Sequence, residues 1–237
     1  MWILYCVCMI LDFLFPKRCI NCEKFEDFLC NECKSSLKII GFQRCPNCKR
    51  KSFCGKFCYG RFCEKTFFFD QLILCFLYSK NTILQKLVVN FKYKFLKAIN
   101  VFFVNVLRYQ FLKFSENGML ENVVVVPVPM SKQKIRIRGE NHAKILAYNF
   151  AKKLNLKFCD VLWRENREDQ AKLKRNDRLT NLKNSIFVNE KYESFLENKN
   201  IILIDDIVTT CSTVNECSRA LKMAKTKYIC VLALARG

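Results

Sequence analysis

The sequence predicts an α/β protein with a mostly parallel sheet and flanking helices, preceded by a small cysteine-rich module. Three observations carry this. Eleven of the 16 cysteines fall within the first 63 residues. Beyond them, short branched apolar runs alternate with longer stretches of helical spacing, the pattern of strands and crossover helices. The stretch IILIDDIVTTCSTV, residues 201 to 214, then places two acids and a hydroxyl-rich turn after an apolar strand. Such strand-to-helix turns, at the carboxyl ends of parallel strands, are where open α/β sheets bind ligands.

The length of 237 residues accommodates one full core and a small second module. Composition divides the chain into a cysteine-rich part, 1–66, and an aliphatic and aromatic part, 67–237. The net charge of +20, from 41 Lys and Arg against 21 Asp and Glu, points to polyanionic partners: nucleic acid, phosphorylated metabolites or an anionic membrane face. The plainer reading is a lysine-rich solvated surface. A hydrophobic content of 51%, with 22 phenylalanines, excludes intrinsic disorder.

The N-terminal run MWILYCVCMILDFLFP has no basic flank and no small-residue cleavage site. Asp12 interrupts it and Pro16 ends it, short of a bilayer span. It reads as an apolar helix packed on the protein, with membrane-surface contact as the weaker alternative. The expected location is the cytoplasm, with peripheral contact at the inner membrane face as the alternative. A secreted disulfide scaffold would be shorter and would carry cysteines throughout.

Within the module, Cys19-x2-Cys22 and Cys30-x2-Cys33 form two knuckles whose four thiolates suit tetrahedral zinc. Metal binding then supplies folding energy that so small a segment lacks. A second set begins with Cys45-Pro46-Asn47-Cys48 and continues with Cys54, Cys58 and Cys63. Cys58 with Cys63 is the favoured second pair, leaving Cys54 spare; Cys54 with Cys58 is the other choice. All-cysteine ligand sets mark closed, structural zinc. Arg44, Lys49, Arg50, Lys51, Lys56 and Arg61 surround them as a basic ribbon suited to phosphates.

QLILCFLYS reads as a strand. TILQKLVVNFKYKFLKAINVFFVNVLRYQFLKF reads as one or two apolar helices, too interrupted by Lys, Arg and Asn to cross a membrane. A break is expected at Gly118. VVVVPVP, 123 to 129, reads as a central strand buried on both faces. The following MSKQKIRIRGEN reads as a basic loop carrying Lys132, Lys134, Arg136 and Arg138. A helix is expected from Asn141, because Ala143, Leu146, Ala147, Phe150 and Leu154 recur at its spacing. The sole histidine, His142, falls in its first turn with no visible catalytic partner.

Between residues 131 and 183 stand 15 Lys and Arg against 6 Asp and Glu. Lys134, Arg136, Arg138, Arg175 and Arg178 are the candidate nucleic-acid contacts there. Ile201–Ile204 reads as a short strand, and Val214, Cys217, Leu221 and Ala224 space out the helix behind it. Backbone N–H groups at that helix start, with Thr209, Thr210, Ser212 and Thr213 adding hydroxyls, make an anion cradle. Asp205 and Asp206 repel phosphate and suit sugar hydroxyls, directly or through Mg²⁺. KYICVLALA supplies the last strand.

ILIDDIVTTCST resembles the phosphoribosyl-pyrophosphate signature of type I phosphoribosyltransferases. Together with LDFLFPKRCINC, CPNC, FKYKF, VVVVPVPMSKQKIRIRGENHAKILA and RENREDQAKLKRNDRLTNLKNSIFV, taken in order, it resembles the ComF family. These competence proteins carry an N-terminal zinc ribbon, and the resemblance spans nearly the whole chain. It implies a type I phosphoribosyltransferase-like fold in which Asp205 and Asp206 contact ribose hydroxyls. Thr209, Thr210, Cys211, Ser212 and Thr213 would wrap the 5′-phosphate, while Met130, Ser131 and Lys132 would face the pyrophosphate. Arg138, Gly139 and Asn141 fall on the family's Arg-Gly-x-Asn segment. Cys211 departs from the family's glycine, which bears on activity if that position needs positive φ.

The resemblance also implies partners: single-stranded DNA during natural transformation, phosphoribosyl pyrophosphate or a related phosphorylated sugar with Mg²⁺, and proteins of DNA uptake. Phe53, Phe57, Tyr59, Phe62 and Trp163 are aromatics with which bases could stack, with core packing the plainer reading for most of them. The leading expectation is a DNA-binding competence protein with a phosphoribosyl-pyrophosphate-type site. The alternatives are an active Mg²⁺-dependent transferase acting on a nucleobase and a scaffold for the uptake machinery.

Overall fold

The computed structural model describes residues 17–25, 27–58, 63, 66–94, 97–115, 119–165 and 185–237. The apolar run before Lys17, Gly118, Tyr59, Arg61, Phe62, Arg175 and Arg178 therefore lie outside the described residues.

The cysteine-rich part has little regular structure among its described residues, though Leu29, Cys30, Cys45 and Phe57 join the buried clusters. It contains α1 (Asn31–Ser35), the antiparallel pair β1 (Gln43–Arg44) and β2 (Lys51–Ser52), and a 3₁₀ turn at Phe53–Gly55. Then come β3 (Gln71–Leu77), α2 (Ile83–Lys94), α3 (Lys97–Phe114), β4 (Val123–Pro127), α4 (Lys132–Arg138), α5 (His142–Leu154), β5 (Lys157–Phe158) and β6 (Leu162–Arg164). The chain continues with β7 (Ile186–Val188), α6 (Glu193–Leu196), β8 (Asn200–Val208), α7 (Ser212–Met223) and β9 (Tyr228–Arg236).

β3, β9, β8, β4 and β5 form, in that order, a five-stranded sheet whose neighbours are all parallel. The period-2 alternation of the strands sorts their side chains onto two faces. Ile73, Cys75, Val125, Ile202, Ile204 and Leu232 share one buried cluster with Phe91, Phe103, Phe111 and Phe150 of α2, α3 and α5. Leu72, Leu74, Val124, Leu203 and Val231 share the other with Val214, Cys217 and Leu221 of α7. Truncating one of the fully buried aromatics, Phe103 for example, should cost about 3–5 kcal/mol.

β6 and β7 make a separate antiparallel pair, beside α7. α2 begins at a reciprocal cap: Thr82 Oγ1 accepts from Gln85 N at 3.3 Å, and Gln85 Oε1 accepts from Asn81 N at 2.7 Å. The first bond satisfies an N–H that the helix itself leaves unpaired, and the second closes the cap on the residue before Thr82.

β3 is an edge strand, and edges invite unwanted pairing unless covered. The cysteine-rich part covers it. Ile40 N donates to Cys75 O at 2.8 Å. Gln43, itself buried, donates from Nε2 to Leu74 O and accepts at Oε1 from Leu74 N, both at 3.0 Å. Gly55 lies so close that a β-carbon there would stand 2.1 Å from Leu72 O, and its φ is +79°.

Three sequence readings need correction. Residues 132–138 form α4 rather than a loop, because Ser131 caps its start by accepting from Lys134 N and Gly139, at φ 80°, ends it. β8 continues past Ile204 to Val208, so both acids stand on the strand, held by ladder pairs from Asp205 to Ala233 and from Val208 to Arg236. Phe57 is buried against Phe67 and Phe69, with centroids 6.1 and 5.8 Å away, and cannot stack on a base. Among the described residues no helix is long and apolar enough to cross a membrane.

Candidate functional site

The chain leaves β4 toward β5 on one side and later returns in β8 on the other. The connections leaving the carboxyl ends of β4 and β8 therefore run to opposite sides, toward β5 and β9, which opens a crevice of the kind that holds ligands in open α/β sheets. There the structure has a cavity of about 440 Å³. Pro129, Met130 and Ser131 follow β4 into it; Asp205, Asp206, Thr209 and Thr213 enter from β8 and its turn. Its lining cations are Lys92, Lys134, Arg138 and Arg164, against the two carboxylates.

The acids are held differently. Asp206 Oδ2 pairs with Lys92 Nζ at 2.5 Å, both side chains mostly buried, and its Oδ1 accepts from Ile207 N at 2.6 Å. Asp205 Oδ1 accepts from Asp206 N at 2.8 Å. Burial first, then the neighbouring Asp206 charge, pushes the Asp205 carboxyl well above the usual carboxylate range. Partial burial, with repulsion from Arg138 and Arg164, depresses the Lys134 ammonium. The cavity thus holds more cation than it neutralises, and an anion placed there would relieve the excess.

The turn after β8 brings Thr210 Oγ1 and Ser212 Oγ within 2.8 Å of each other, and Ser212 N donates to Thr210 Oγ1 at 3.4 Å. Cys211 heads α7 at φ 66°, ψ 2°, the left-handed region that favours glycine. Its side chain is buried in the cluster holding Cys45, Cys63, Val208 and Val214. Lys49 and Arg236 lie near enough to offset part of the rise that burial imposes on its thiol. The thiol is not among the groups lining the cavity.

Of the residues singled out from sequence, Met130, Ser131, Lys134, Arg138, Asp205, Asp206, Thr209 and Thr213 come together around the cavity. Lys132 and Arg136 are exposed on α4 and do not line it. His142 is buried, its ring edge-on to Phe91 with centroids 5.2 Å apart, and burial lowers its pKa. Asn141 has a positional role: Nδ2 donates to Val128 O at 3.0 Å, while Oδ1 accepts from Ala143 N and Lys144 N. It thereby ties the start of α5 to the end of β4.

Sequence reasoning missed Lys92, Arg164 and Tyr78 as lining residues. Lys92 lies in the FKYKF segment, where a cation on an otherwise core-facing helix was the available signal.

The cysteines form two groups, Cys19, Cys22, Cys30, Cys33 and Cys45, Cys48, Cys58, Cys63, with all four sulfurs of each within 4.8 Å of one another. Cys54 stands outside both. Sulfur separations of 3.5 Å for Cys22–Cys30, 3.5 Å for Cys45–Cys63 and 3.4 Å for Cys48–Cys58 approach the roughly 3.8 Å edge of a zinc–thiolate tetrahedron. Both donor sets fit zinc, which would supply fold stability rather than chemistry. The acids fit a resident Mg²⁺ poorly, since one of only two carboxylates already pairs with Lys92.

No protein-family model matches the chain. It is 31% identical over 225 residues to competence protein ComFC of Bacillus subtilis (strain 168), covering 91% of this chain and 88% of that one. To competence protein F of Haemophilus influenzae it is 25% identical over 236 residues, covering 94% and 98%. To competence protein ComFC of Streptococcus pneumoniae it is 24% identical over 225 residues, covering 89% of each.

Proposed function

This chain belongs to the ComF family of competence proteins, and on that footing we propose that it acts in competence by binding single-stranded DNA. We further propose that the cavity between β4 and β8 receives phosphoribosyl pyrophosphate or a related phosphorylated pentose. The observation that carries the second part is the pairing of unneutralised cations with two acids in one cavity. Lys134, Arg138 and Arg164 offer charge to phosphates, and Asp205 and Asp206 offer oxygens to ribose hydroxyls. The turn from Thr209 to Thr213 adds hydroxyls and N–H groups at the start of α7. Mg²⁺ would arrive with the pyrophosphate rather than wait in the site.

Support for DNA binding comes from the net charge of +20, and support for a role in competence from the names of the relatives. Arg136 stays a candidate contact, as do Arg175 and Arg178 from the sequence alone. Lys134 and Arg138 are reassigned to the cavity. Two titrations test the whole reading. Calorimetry with phosphoribosyl pyrophosphate and Mg²⁺ should show binding that Asp206→Asn abolishes. Anisotropy with labelled oligonucleotides should show affinity that falls steeply with salt and persists in Asp206→Asn. Absence of heat in the native protein rejects the sugar site, and absence of oligonucleotide binding rejects the DNA role.

The paired acids also keep a transferase reading open, in which a nucleobase displaces pyrophosphate from C1 of the ribose through an oxocarbenium-like state. Asp206, paired with Lys92, would be the counter-charge. Base-dependent pyrophosphate release, lost in Asp206→Asn, is its test.

A further inference from the structure

We propose that the groove between the second cysteine group and the edge of β3 seats one unpaired base of single-stranded DNA, with the flanking phosphates on the cations at its rim. The inference rests on the DNA-binding reading above and gives it a place. The groove, of about 320 Å³, has Leu72, Leu74 and Leu77 among its apolar lining, with Phe42 beside them. Arg44, Lys49 and Arg236 also line it, and no acid does. Among the described residues no ion pair is recorded for any of these three cations.

Leu77 is 70% exposed and Phe42 42% exposed, so apolar surface stands open among unpaired positive charge. Cations lie over the Phe42 ring, the Arg44 guanidinium 5.2 Å and the Lys51 ammonium 4.7 Å from its centroid, and an incoming base would displace one of them onto the adjoining phosphate. Arg44 itself is anchored by donating to Lys49 O at 2.9 Å.

Aromatic faces beside a cationic track are what a single strand requires: bases stack while the backbone follows the charge. A duplex hides its base faces, and an acidic peptide would use the cations but leave Phe42 and Leu77 unmatched. Phe53, in the turn directly after β2 and 83% exposed, gives the same module a second open ring.

The test uses the zinc-loaded full chain and an oligothymidylate of about a dozen nucleotides, within the usual single-strand site size. An abasic oligonucleotide of equal length serves as the comparison. The native protein should prefer the base-bearing strand by roughly 5- to 150-fold, the range expected of one aromatic–base stack. Phe42→Ala should erase the preference without changing the salt slope, and Phe42→Tyr should keep it. Arg44→Gln should lower the slope by about 1 for both strands. Bound zinc and melting temperature, followed in each variant, establish that a half-exposed side chain was changed without unfolding.

Equal native affinity for the two strands, or a preference that survives Phe42→Ala, overturns the base slot while leaving DNA binding intact. Displacement of the oligonucleotide by polyglutamate as effectively as by unlabelled oligothymidylate also overturns it, since the groove is then a general polyanion patch. If the native protein binds neither strand, the DNA-binding reading fails and the slot fails with it.

Discussion

Replacing Cys211 by glycine tests whether the hydroxyl-rich turn is a working cradle or a relic. The residue has φ 66° and ψ 2°, where a β-carbon costs about 1–2 kcal/mol. Glycine removes that strain. It also frees the unfolded chain, which costs about 0.4–1 kcal/mol, and it deletes a buried side chain worth about 0.8 kcal/mol or more. These contributions nearly cancel. At this chain length about 1 kcal/mol shifts Tm by about 2–4 °C, so Cys211→Gly should melt within about 4 °C of the native protein.

Ligand binding separates the two possibilities more sharply. The thiol is buried, in the cluster that also holds Cys45, Cys63, Val208 and Val214, and is absent from the cavity lining. The backbone at Cys211 already has the conformation that a glycine would provide. The native protein should therefore bind phosphoribosyl pyrophosphate, with Cys211→Gly changing Kd by less than about threefold, under about 0.7 kcal/mol. Calorimetric titration of both proteins is the assay. Silence in the native protein with binding restored by glycine would refute the reasoning, because it would mean that the β-carbon or thiol obstructs the phosphate.

Asp205→Asn should stabilise the protein while removing sugar binding. The folded state holds this carboxyl well above its ordinary pKa through burial and the Asp206 charge. The folded state therefore binds the extra proton, and stability falls as pH rises from the unfolded value of about 3.9 through the folded one. Melting curves should show the variant's advantage at pH 7 shrinking toward pH 4, and a constant difference would refute the assignment. Zinc removal by chelator at neutral pH should unfold the cysteine-rich part first. Acid should release the metal as well, since the ligands must ionise to bind it. Without metal, Cys58 and burial push the Cys63 thiol up to about 12, while Arg50 brings Cys48 down to about 6. Gly55→Ala should lower Tm by several degrees, because its β-carbon would meet backbone, Leu72 O, at 2.1 Å.

Four of the five sheet strands were legible because each carries an apolar run, whereas β5, Lys157–Phe158, has none; α7 was legible because Val214, Cys217, Leu221 and Ala224 keep one face. α4 was not. KQKIRIR alternates like a strand and has no buried residue; its helical form follows from the Ser131 cap and Gly139, which act locally and leave no periodic trace. The sequence places the two acids in a loop for a similar reason. Hydropathy ends the strand at Ile204, whereas ladder bonds to β9 carry it to Val208, and polarity does not report backbone pairing. Lys92 shows the third kind of gap, since no spacing rule links position 92 to 206 until the sheet brings α2 beside β8.

That juxtaposition has a counterpart on the opposite face of the sheet. Cys45 and Cys63 of the second cysteine group belong to the same buried cluster as Cys211, Val208 and Val214, and Lys49 lies close to the Cys211 thiol. The residue that heads α7 in a left-handed conformation thus shares one buried cluster with two members of the group expected to hold zinc. A packed interior transmits displacement rather than absorbing it. Loosening this cysteine group should therefore disturb the 209–213 turn before it disturbs Asp206, whose partner Lys92 comes from α2, packed on the other face. On this argument the cysteine-rich module steadies the backbone of the 209–213 turn through the cluster they share.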